Sequence, residues 1–379
     1  MELFDTVTSC VCISDAALEW LTLSLLPQIG SATLSRLAGR YSTPSCLIRK
    51  VGSDADINPR LAQILTDPAL RRTAEKRVER QVELLQHFGV SLTCHDGPDY
   101  PSRLRSLADF PVLLFYRGDI GRLAGPAVAL VGSRAATGYG RDVGYRLAAG
   151  LARRGITVVS GVAAGIDGAA HKGALSVGGF TAGVLGCGID VVYPHAHEKL
   201  YREIAEQGVL ISEYPCGTRP DGFRFPARNR IISGLAQGVV VVEATLKSGS
   251  LITARLALDQ GREVFAVPGR VDSAKSAGTH RLLQQGAHLA QSADDIVGEL
   301  DLVVADVDSD RNPRQVTGEN SEDEQCILDC LDVYPVDIDT IMRVSGLEMA
   351  RVLDLLLQLE LQGLVRQRPG QLYEKVMLM

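Results

Sequence analysis

A segment of basic and aromatic residues at positions 223–234 carries the strongest chemical signal in this sequence. It reads Phe-Arg-Phe-Pro-Ala-Arg-Asn-Arg-Ile-Ile-Ser-Gly, with three arginines and two phenylalanines. A guanidinium is a planar fork of donors that suits phosphate oxygens, and a phenyl ring offers a face on which an unpaired base can stack. The segment therefore predicts a surface that holds single-stranded nucleic acid without reading its sequence, with Arg228, Asn229 and Arg230 as contacts. The plainer alternative is a basic surface loop whose rings lie in the core.

A glycine-containing turn at 132–140 is a second candidate site. It follows an apolar run and leads into a helical pattern, so backbone donors and the positive end of a helix could meet an anion there. Arg134 adds a full charge, and we expect Gly132, Ser133 and Arg134 to bind phosphate rather than to form an empty tight turn. The turn matches neither the dinucleotide fingerprint nor the Gly-Lys-Ser/Thr nucleotide loop. No nicotinamide or other cofactor is therefore expected.

The loop at 160–171 is rich in small residues, and Gly161 within it would permit close approach of the backbone to a ligand. Asp167 and His171 are four residues apart and share one helix face. They could form part of a metal site, but no third ligand accompanies them. We expect a structural pair in which the two side chains bond each other, and no metal.

A third loop at 243–253 resembles the first in its chemistry. Ser248 or Ser250 can cap the helix that follows, and Gly249 with Lys247 would complete a phosphate cradle at the start of that helix. Glu243 precedes the loop at the end of a strand, where we expect it to orient Arg or Lys partners.

These loops are spaced by buried apolar runs that alternate with helical patterns. Near-continuous β-branched runs separated by helices are typical of a parallel sheet covered on both faces. The sequence thus predicts an α/β, doubly wound, Rossmann-like domain whose ligands lie at the carboxyl ends of the strands. The predicted strands are 127–131, 156–159, 182–185, 209–212, 239–242 and 264–267, and the predicted helices are 140–154, 166–177, 198–207, 231–237 and 251–260.

Smaller segments flank this domain. Residues 1–89 predict a helical domain of the SAM or helix-hairpin-helix type, with a turn at Gly30. The Rossmann-like domain then covers 90–300, with 90–124 as its connector, and a polar linker covers 301–321. Residues 322–379 predict a winged helix. Its candidate recognition helix offers only one arginine against two acids, so we expect a regulatory or protein-docking role there and not DNA reading.

Composition restricts the class of protein further. The chain has 379 residues, with 46% hydrophobic and 22% charged residues, as in ordinary globular proteins. No run approaches the roughly 20 apolar residues needed for a membrane span, and the eight scattered cysteines form no Cys-x-x-Cys pair. These features predict a cytoplasmic protein with reduced thiols. Residues 322–379 contain 5 basic and 11 acidic residues, so they account for the whole net charge of −6 and the remainder is neutral.

Taken in order, several motifs resemble one known family. They are Val-Gly-Ser-Arg at 131–134, the loop at 160–171, Phe-Pro-Ala-Arg-Asn-Arg-Ile-Ile at 225–232, Lys-Ser-Gly-Ser-Leu-Ile-Thr-Ala at 247–254 and Val-Pro-Gly at 267–269. The chain resembles the DNA-processing protein A family (DprA/Smf) over nearly its whole length. The resemblance implies homodimers that bind single-stranded DNA in a positive pocket, protect incoming DNA during natural transformation and load the RecA recombinase. The same resemblance implies that the DNA contacts are made by Ser133, Arg134, Arg228, Asn229, Arg230, Lys247 and Ser248–Ser250.

Two other functions compete with this prediction. A nucleotide or phosphoribosyl hydrolase of the lysine-decarboxylase-like type shares a similar Rossmann variant. Its Pro-Gly-Gly-x-Gly-Thr-x-x-Glu loop is replaced here by residues 247–254, which contain no carboxylate to act as general acid. A pure protein scaffold would leave the arginine-rich segment without a purpose. We therefore predict a binding protein and not an enzyme.

Overall fold

The computed structural model describes residues 11–52, 54, 57–302, 322–331 and 335–375. The chain divides into two compact units, Met1–Val307 and Asp308–Met379. The predicted linker lies outside the described residues except for positions 301 and 302. No helix in the described part of the chain has the length and apolar character that a membrane crossing requires.

The first unit begins with five helices. Their starts follow the sequence closely: Ser14, Thr43, Asn58 and Asp67 each accept a backbone N–H as N-cap residues, and Gly89 ends the fifth helix in a left-handed conformation. Trp20 and Leu65 are fully buried in a core that these helices share with neighbouring strands. The helices are α1 (Asp15–Ser24), α2 (Ser31–Arg40), α3 (Pro44–Lys50), α4 (Pro59–Thr66) and α5 (Pro68–Phe88).

A nine-stranded sheet forms the centre of the unit. Its strand order is β1-β2-β6-β5-β4-β3-β7-β8-β9. Strands β3 to β9 pair in parallel, whereas β1 and β2, which come from the predicted connector, extend the sheet with antiparallel pairs. The strands are β1 (Ser91–Cys94), β2 (Leu113–Gly118), β3 (Ala127–Val131), β4 (Thr157–Ser160), β5 (Thr181–Leu185), β6 (Val209–Ser212), β7 (Gly238–Val241), β8 (Glu263–Ala266) and β9 (His288–Leu289).

Helices cover both faces of this sheet, as predicted for a doubly wound fold. Successive side chains of β3 point to opposite faces: Ala129 packs in one core and Leu130 in the other. The helices are α6 (Ser102–Arg105), α7 (Gly138–Arg153), α8 (Ile166–Ser176), α9 (Glu198–Gln207), α10 (Arg224–Leu235), α11 (Ser250–Asp259), α12 (Ala277–Gln284) and α13 (Ala293–Glu299).

The chain changes direction across the sheet next to β3. It runs outward through β4, β5 and β6 on one side, then crosses back and continues through β7, β8 and β9 on the other. The carboxyl ends of β3 and β7 therefore border the topological switch point, where open α/β sheets bind their ligands.

Helix α10 differs from the prediction, which began a helix only at Ile231. The helix already begins at Arg224, so the segment is helical from there onward, with Phe223 as the N-cap residue. Pro226 is compatible with this because the first turn of a helix leaves its N–H groups without intrahelical partners.

The second unit is a winged helix. Three helices, α14 (Glu322–Cys330), α15 (Ile338–Ser345) and α16 (Met349–Leu361), pack with a small sheet. That sheet consists of β10 (Val336–Asp337), β11 (Val365–Arg368) and β12 (Leu372–Lys375), in the order β10-β12-β11.

Candidate nucleic-acid interface

A cleft of about 680 Å³ opens at the switch point. It is lined by the turn after β3, the loop after β4, Tyr193 from the segment between β5 and α9, residues 220–222, helix α10, and the loop and first turn of α11. Its volume lies within the usual range for ligand sites, about 300–1,000 Å³. The cleft brings together most of the predicted site residues, namely Gly132, Ser133, Arg134, Arg228, Asn229, Ser248, Gly249 and Ser250.

Arg134 is the cation best placed at this cleft. Its side chain is exposed, and its guanidinium carbon lies 5.0 Å from the ring centroid of Phe225. No ion pair involves Arg134 within the described residues. The ring of Tyr193 lies 5.3 Å from that of Phe225 at an interplanar angle of 32°. A free guanidinium therefore stands beside two aromatic rings, as a phosphate donor beside a stacking platform would.

The turn after β3 is held rigidly, but its helix start is already occupied. The backbone N–H of Ser133 donates to the Glu243 carbonyl at 2.8 Å. The Glu243 carboxylate accepts from the N–H of Thr137 at 3.0 Å and from the Thr137 hydroxyl. A carboxylate thus neutralises the positive end of α7. The expectation that Glu243 orients Arg or Lys was wrong, because the chain brings it against the cap of a helix instead. Arg134 is therefore the group of this turn that is open to an anion.

The start of α11 differs from that of α7 because it contains no carboxylate. Gly249 is its N-cap and supplies no side chain, and the first turn contains no acidic residue. The hydroxyl oxygens of Ser248 and Ser250 lie 2.8 Å apart and bond each other. Lys247 is exposed on the same loop, with no ion pair among the residues that the structure describes. A helix start without a carboxylate, next to a lysine and hydroxyls, can accommodate a phosphate.

Arg228 lies at the floor of the cleft, but its donors point inward. It is buried, and Nη1 donates to the Gly161 carbonyl at 2.8 Å and to the Val184 carbonyl. Gly161 is close-packed: a β-carbon there would lie 2.6 Å from Arg228 and 2.7 Å from Asp167. Arg228 and Gly161 were expected to meet phosphate at the surface. Both residues are buried, and the guanidinium ties the ends of β4 and β5 together, so their contact with phosphate stays a prediction.

Arg230 differs even more than Arg228 from its predicted role as a phosphate contact. It is not among the residues that line the cleft, and it forms ion pairs with Glu213 at 2.7 Å and with Asp109 at 3.2 Å. Both Arg230 and Glu213 are almost completely buried. Burial raises the pKa of Glu213, and the charge of Arg230 opposes that rise. The prediction of Arg230 as an open phosphate donor is corrected accordingly, since its side chain is already committed to a buried carboxylate.

The predicted bond between Asp167 and His171 does not form. His171 is fully buried, and its Nδ1 lies 2.7 Å from the Thr181 hydroxyl, while burial lowers its pKa to about 3 and keeps it neutral. Asp167 lines the cleft beside Arg228, and burial raises the pKa of this carboxyl group. Across the described residues, no group of three or more potential ligands could hold a metal ion.

Sequence reasoning missed Tyr193 as a site residue. It comes from the long segment between β5 and α9, which starts at a strand's carboxyl end and so could have been examined for ligand contacts. Nothing local distinguishes Tyr193 from other surface tyrosines. Its proximity to Phe225 becomes evident only when the segment folds back over α10.

Fold and site together define a class: a Rossmann-like α/β protein with a cation- and ring-lined cleft at its switch point, on a chain that also contains a winged helix. The chain belongs to the DNA recombination-mediator protein A (DprA/Smf) family, which matches residues 91–301. The DprA winged helix domain matches residues 311–371.

Relatives match over most of the chain. Protein Smf of Escherichia coli (strain K12) is 37% identical over 358 residues, covering 93% of this chain and 94% of its own length. Among solved structures, DNA processing protein A from Streptococcus pneumoniae is 37% identical with a TM-score of 0.59, covering 72% of this chain and 98% of that one. DNA processing protein A from Helicobacter pylori is 34% identical with a TM-score of 0.51, covering 55% and 95%. The work on that protein describes its single-stranded DNA binding mode.

Proposed function

We propose that this protein binds single-stranded DNA, without sequence preference, in the switch-point cleft. The observation that carries the proposal is the position of Arg134: an exposed guanidinium at a strand's carboxyl end, stacked over Phe225 and close to Tyr193. Duplex bases stack on each other, whereas unpaired bases are free to stack on protein rings. A guanidinium next to accessible rings therefore favours a single strand.

We assign the phosphate contacts to the exposed cations and to the polar side chains near them. Arg134 at the cleft and Lys247 on the adjoining loop supply charge, and Ser133, Asn229 and the serine side chains at the start of α11 supply polar groups. Arg228 and Gly161 pack together at the cleft floor, and Arg230 pairs with Glu213 outside the cleft, so we assign no phosphate contact to these three residues. The single-stranded DNA binding described for the Helicobacter pylori relative supports this choice of ligand.

The test is a salt titration of binding to a fluorescent oligonucleotide. Arg134→Ala and Lys247→Ala should each lose about 1–3 kcal/mol of binding free energy, roughly 5- to 150-fold in affinity, uniformly across sequences. Each variant should also make the fall of log K with log[salt] less steep, by about the amount that one phosphate contact contributes. Arg153→Ala is the matched control, because Arg153 is exposed at the far end of α7, away from the cleft. Unchanged affinity in both site variants would remove the proposed interface.

We further propose that the protein acts in the cytoplasm, protects incoming DNA during transformation and passes it to the RecA recombinase. Membership of the recombination-mediator family supports this step. A RecA-loading assay on oligonucleotides coated with a single-strand binding protein tests it. Arg134→Ala should load RecA poorly if the strand is transferred from the cleft.

A homodimer through the edge of the sheet is also part of the proposal. Strand β9 is one of the two edge strands of the sheet, and Leu289 within it is 48% exposed. Leu289→Arg should reduce the molar mass measured by light scattering to that of one chain, because a charge would be buried in an apolar contact. A monomeric wild-type protein at micromolar concentration would contradict the proposal.

Hydrolysis is the alternative, and one observation favours it: Asp167 is a buried carboxyl group with a raised pKa at the cleft. Its surroundings argue for a structural role, since Arg228 and the Ala163 N–H hold it at the cleft floor. We expect the protein to release neither base nor phosphate from common nucleotides. Turnover that disappears in Asp167→Asn would support the enzyme instead.

A further inference from the structure

Helix α16 of the winged helix displays an apolar stripe to solvent. Met349, Leu353, Leu357 and Leu361 occur at every fourth position and are 41%, 44%, 58% and 82% exposed. Side chains four residues apart lie one above the other on the same face of a helix. The stripe therefore runs along three turns of α16.

This stripe is not part of the unit's own core. A separate face of α16 packs inward through Val352, Leu355, Leu356 and Leu359, which are all buried. A helix that covers one core needs one apolar face and a polar remainder. Here a second apolar face remains, and contiguous apolar surface of this kind marks an interaction site.

The charges around the stripe decide what could cover it. Glu348, Asp354 and Glu360 are carried on or next to α16, whereas Arg351 is its only basic residue. Arg351 already pairs with Asp323 at 2.9 Å and with Asp354 at 3.5 Å. The surroundings of the stripe are therefore negative. This excludes a phosphate backbone as the occupant, because like charges repel.

A second copy of the same surface is disfavoured by the same charges. Residues 322–379 contain 11 acidic and 5 basic residues, so pairing two winged helices would bring two units of −6 together. Electrostatic complementarity, which guides specific association, instead requires a positive partner surface.

We propose that α16 docks an amphipathic helix of a partner protein, one whose apolar stripe is bordered by lysine or arginine. Two helices can then pack their ridges together along α16. The basic border of the partner would face the acids that flank the stripe. This inference does not depend on the DNA-binding proposal, which concerns the other unit.

The test uses the full chain and a synthetic probe. The probe is a labelled helical peptide of about 18 residues, five helical turns, with leucines at every fourth position and lysine borders. A control peptide has the same sequence with glutamate in place of each lysine. Fluorescence anisotropy should show at least tenfold tighter binding of the lysine peptide, and the difference should shrink as salt increases.

The variant Leu353→Gln/Leu357→Gln should lose at least tenfold in affinity for the lysine peptide. Glutamine keeps helix propensity close to that of leucine, so α16 should remain folded. Leu258→Gln is the matched control: Leu258 is 60% exposed, like Leu357, but lies on α11 of the other unit. Its affinity for the peptide should equal that of the wild type, and the double variant should still bind single-stranded DNA normally.

Three results would overturn the proposal. The first is equal binding of the two peptides, or no binding by the full chain. The second is a double variant that binds the lysine peptide as the wild type does. The third is a fall in molar mass by light scattering in the double variant, which would assign the stripe to a second copy of this chain.

Discussion

Arginines that look equivalent in the sequence have different roles in the folded protein. Arg134 projects from a turn and forms no ion pair among the described residues, whereas Arg230 pairs with the buried Glu213. A buried carboxylate needs a partner far more than an exposed one does, because water no longer stabilises its charge. Arg230 should therefore contribute to folding and Arg134 to binding.

Arg230→Ala should destabilise the protein by about 3–5 kcal/mol, because it leaves Glu213 charged, buried and without its cation. Burial already raises the pKa of Glu213, and loss of Arg230 raises it further. A carboxyl group with a raised folded-state pKa adds stability at low pH and loses it as pH rises. The loss in free energy of unfolding, measured with urea, should therefore be smaller at about pH 5 than at about pH 8. Arg230→Ala/Glu213→Gln should recover part of the loss, and a deficit independent of pH would contradict this account.

At the scale of elements, α10 contributes both to the proposed binding surface and to the packing of the sheet. Its first turn presents Phe225 to the cleft, while Arg228 reaches inward to the ends of β4 and β5. Gly186, just beyond β5, makes room for the ring, since a β-carbon there would lie 2.9 Å from Phe225. Phe225 and Arg228 are three residues apart and therefore share the face of α10 that lines the cleft, and the helix fixes the aromatic ring on a rigid element.

Phe225→Ala should weaken single-strand binding by about 1–3 kcal/mol, the usual contribution of one stacked base. Phe225→Trp should retain affinity because it keeps a planar face. Binding to an abasic oligonucleotide should respond little to either change, since that ligand cannot stack. Equal losses for the abasic and normal strands would indicate that Phe225 only shapes the cleft.

The whole molecule separates a neutral unit that contains the cleft from an acidic winged helix. The described hydrophobic core of the second unit contains residues of that unit alone. The net charge of −6 resides in residues 322–379, where it repels a polyanion within about one Debye length, roughly 8 Å at physiological salt.

A chain that ends at residue 302 should therefore fold and bind single-stranded DNA at least as tightly as the full chain. Any gain should be largest at low salt, where screening is weakest. Gel shifts with single-stranded and duplex DNA over a range of salt concentrations measure this. A loss of more than about tenfold in affinity would show that the winged helix contacts the DNA directly.

The sequence by itself determined the alternation of strands and helices, the three loops at strand ends and the winged helix, because local apolar periodicity and turn residues encode them. The boundary predicted at residue 89 stays a prediction. Tertiary structure decided which side chains of those loops remain open. Glu243 meets Thr137, Arg230 meets Glu213 and Tyr193 meets Phe225 only after distant segments fold together. Ion pairing and burial depend on these long-range contacts, and a linear pattern of residue types does not contain them.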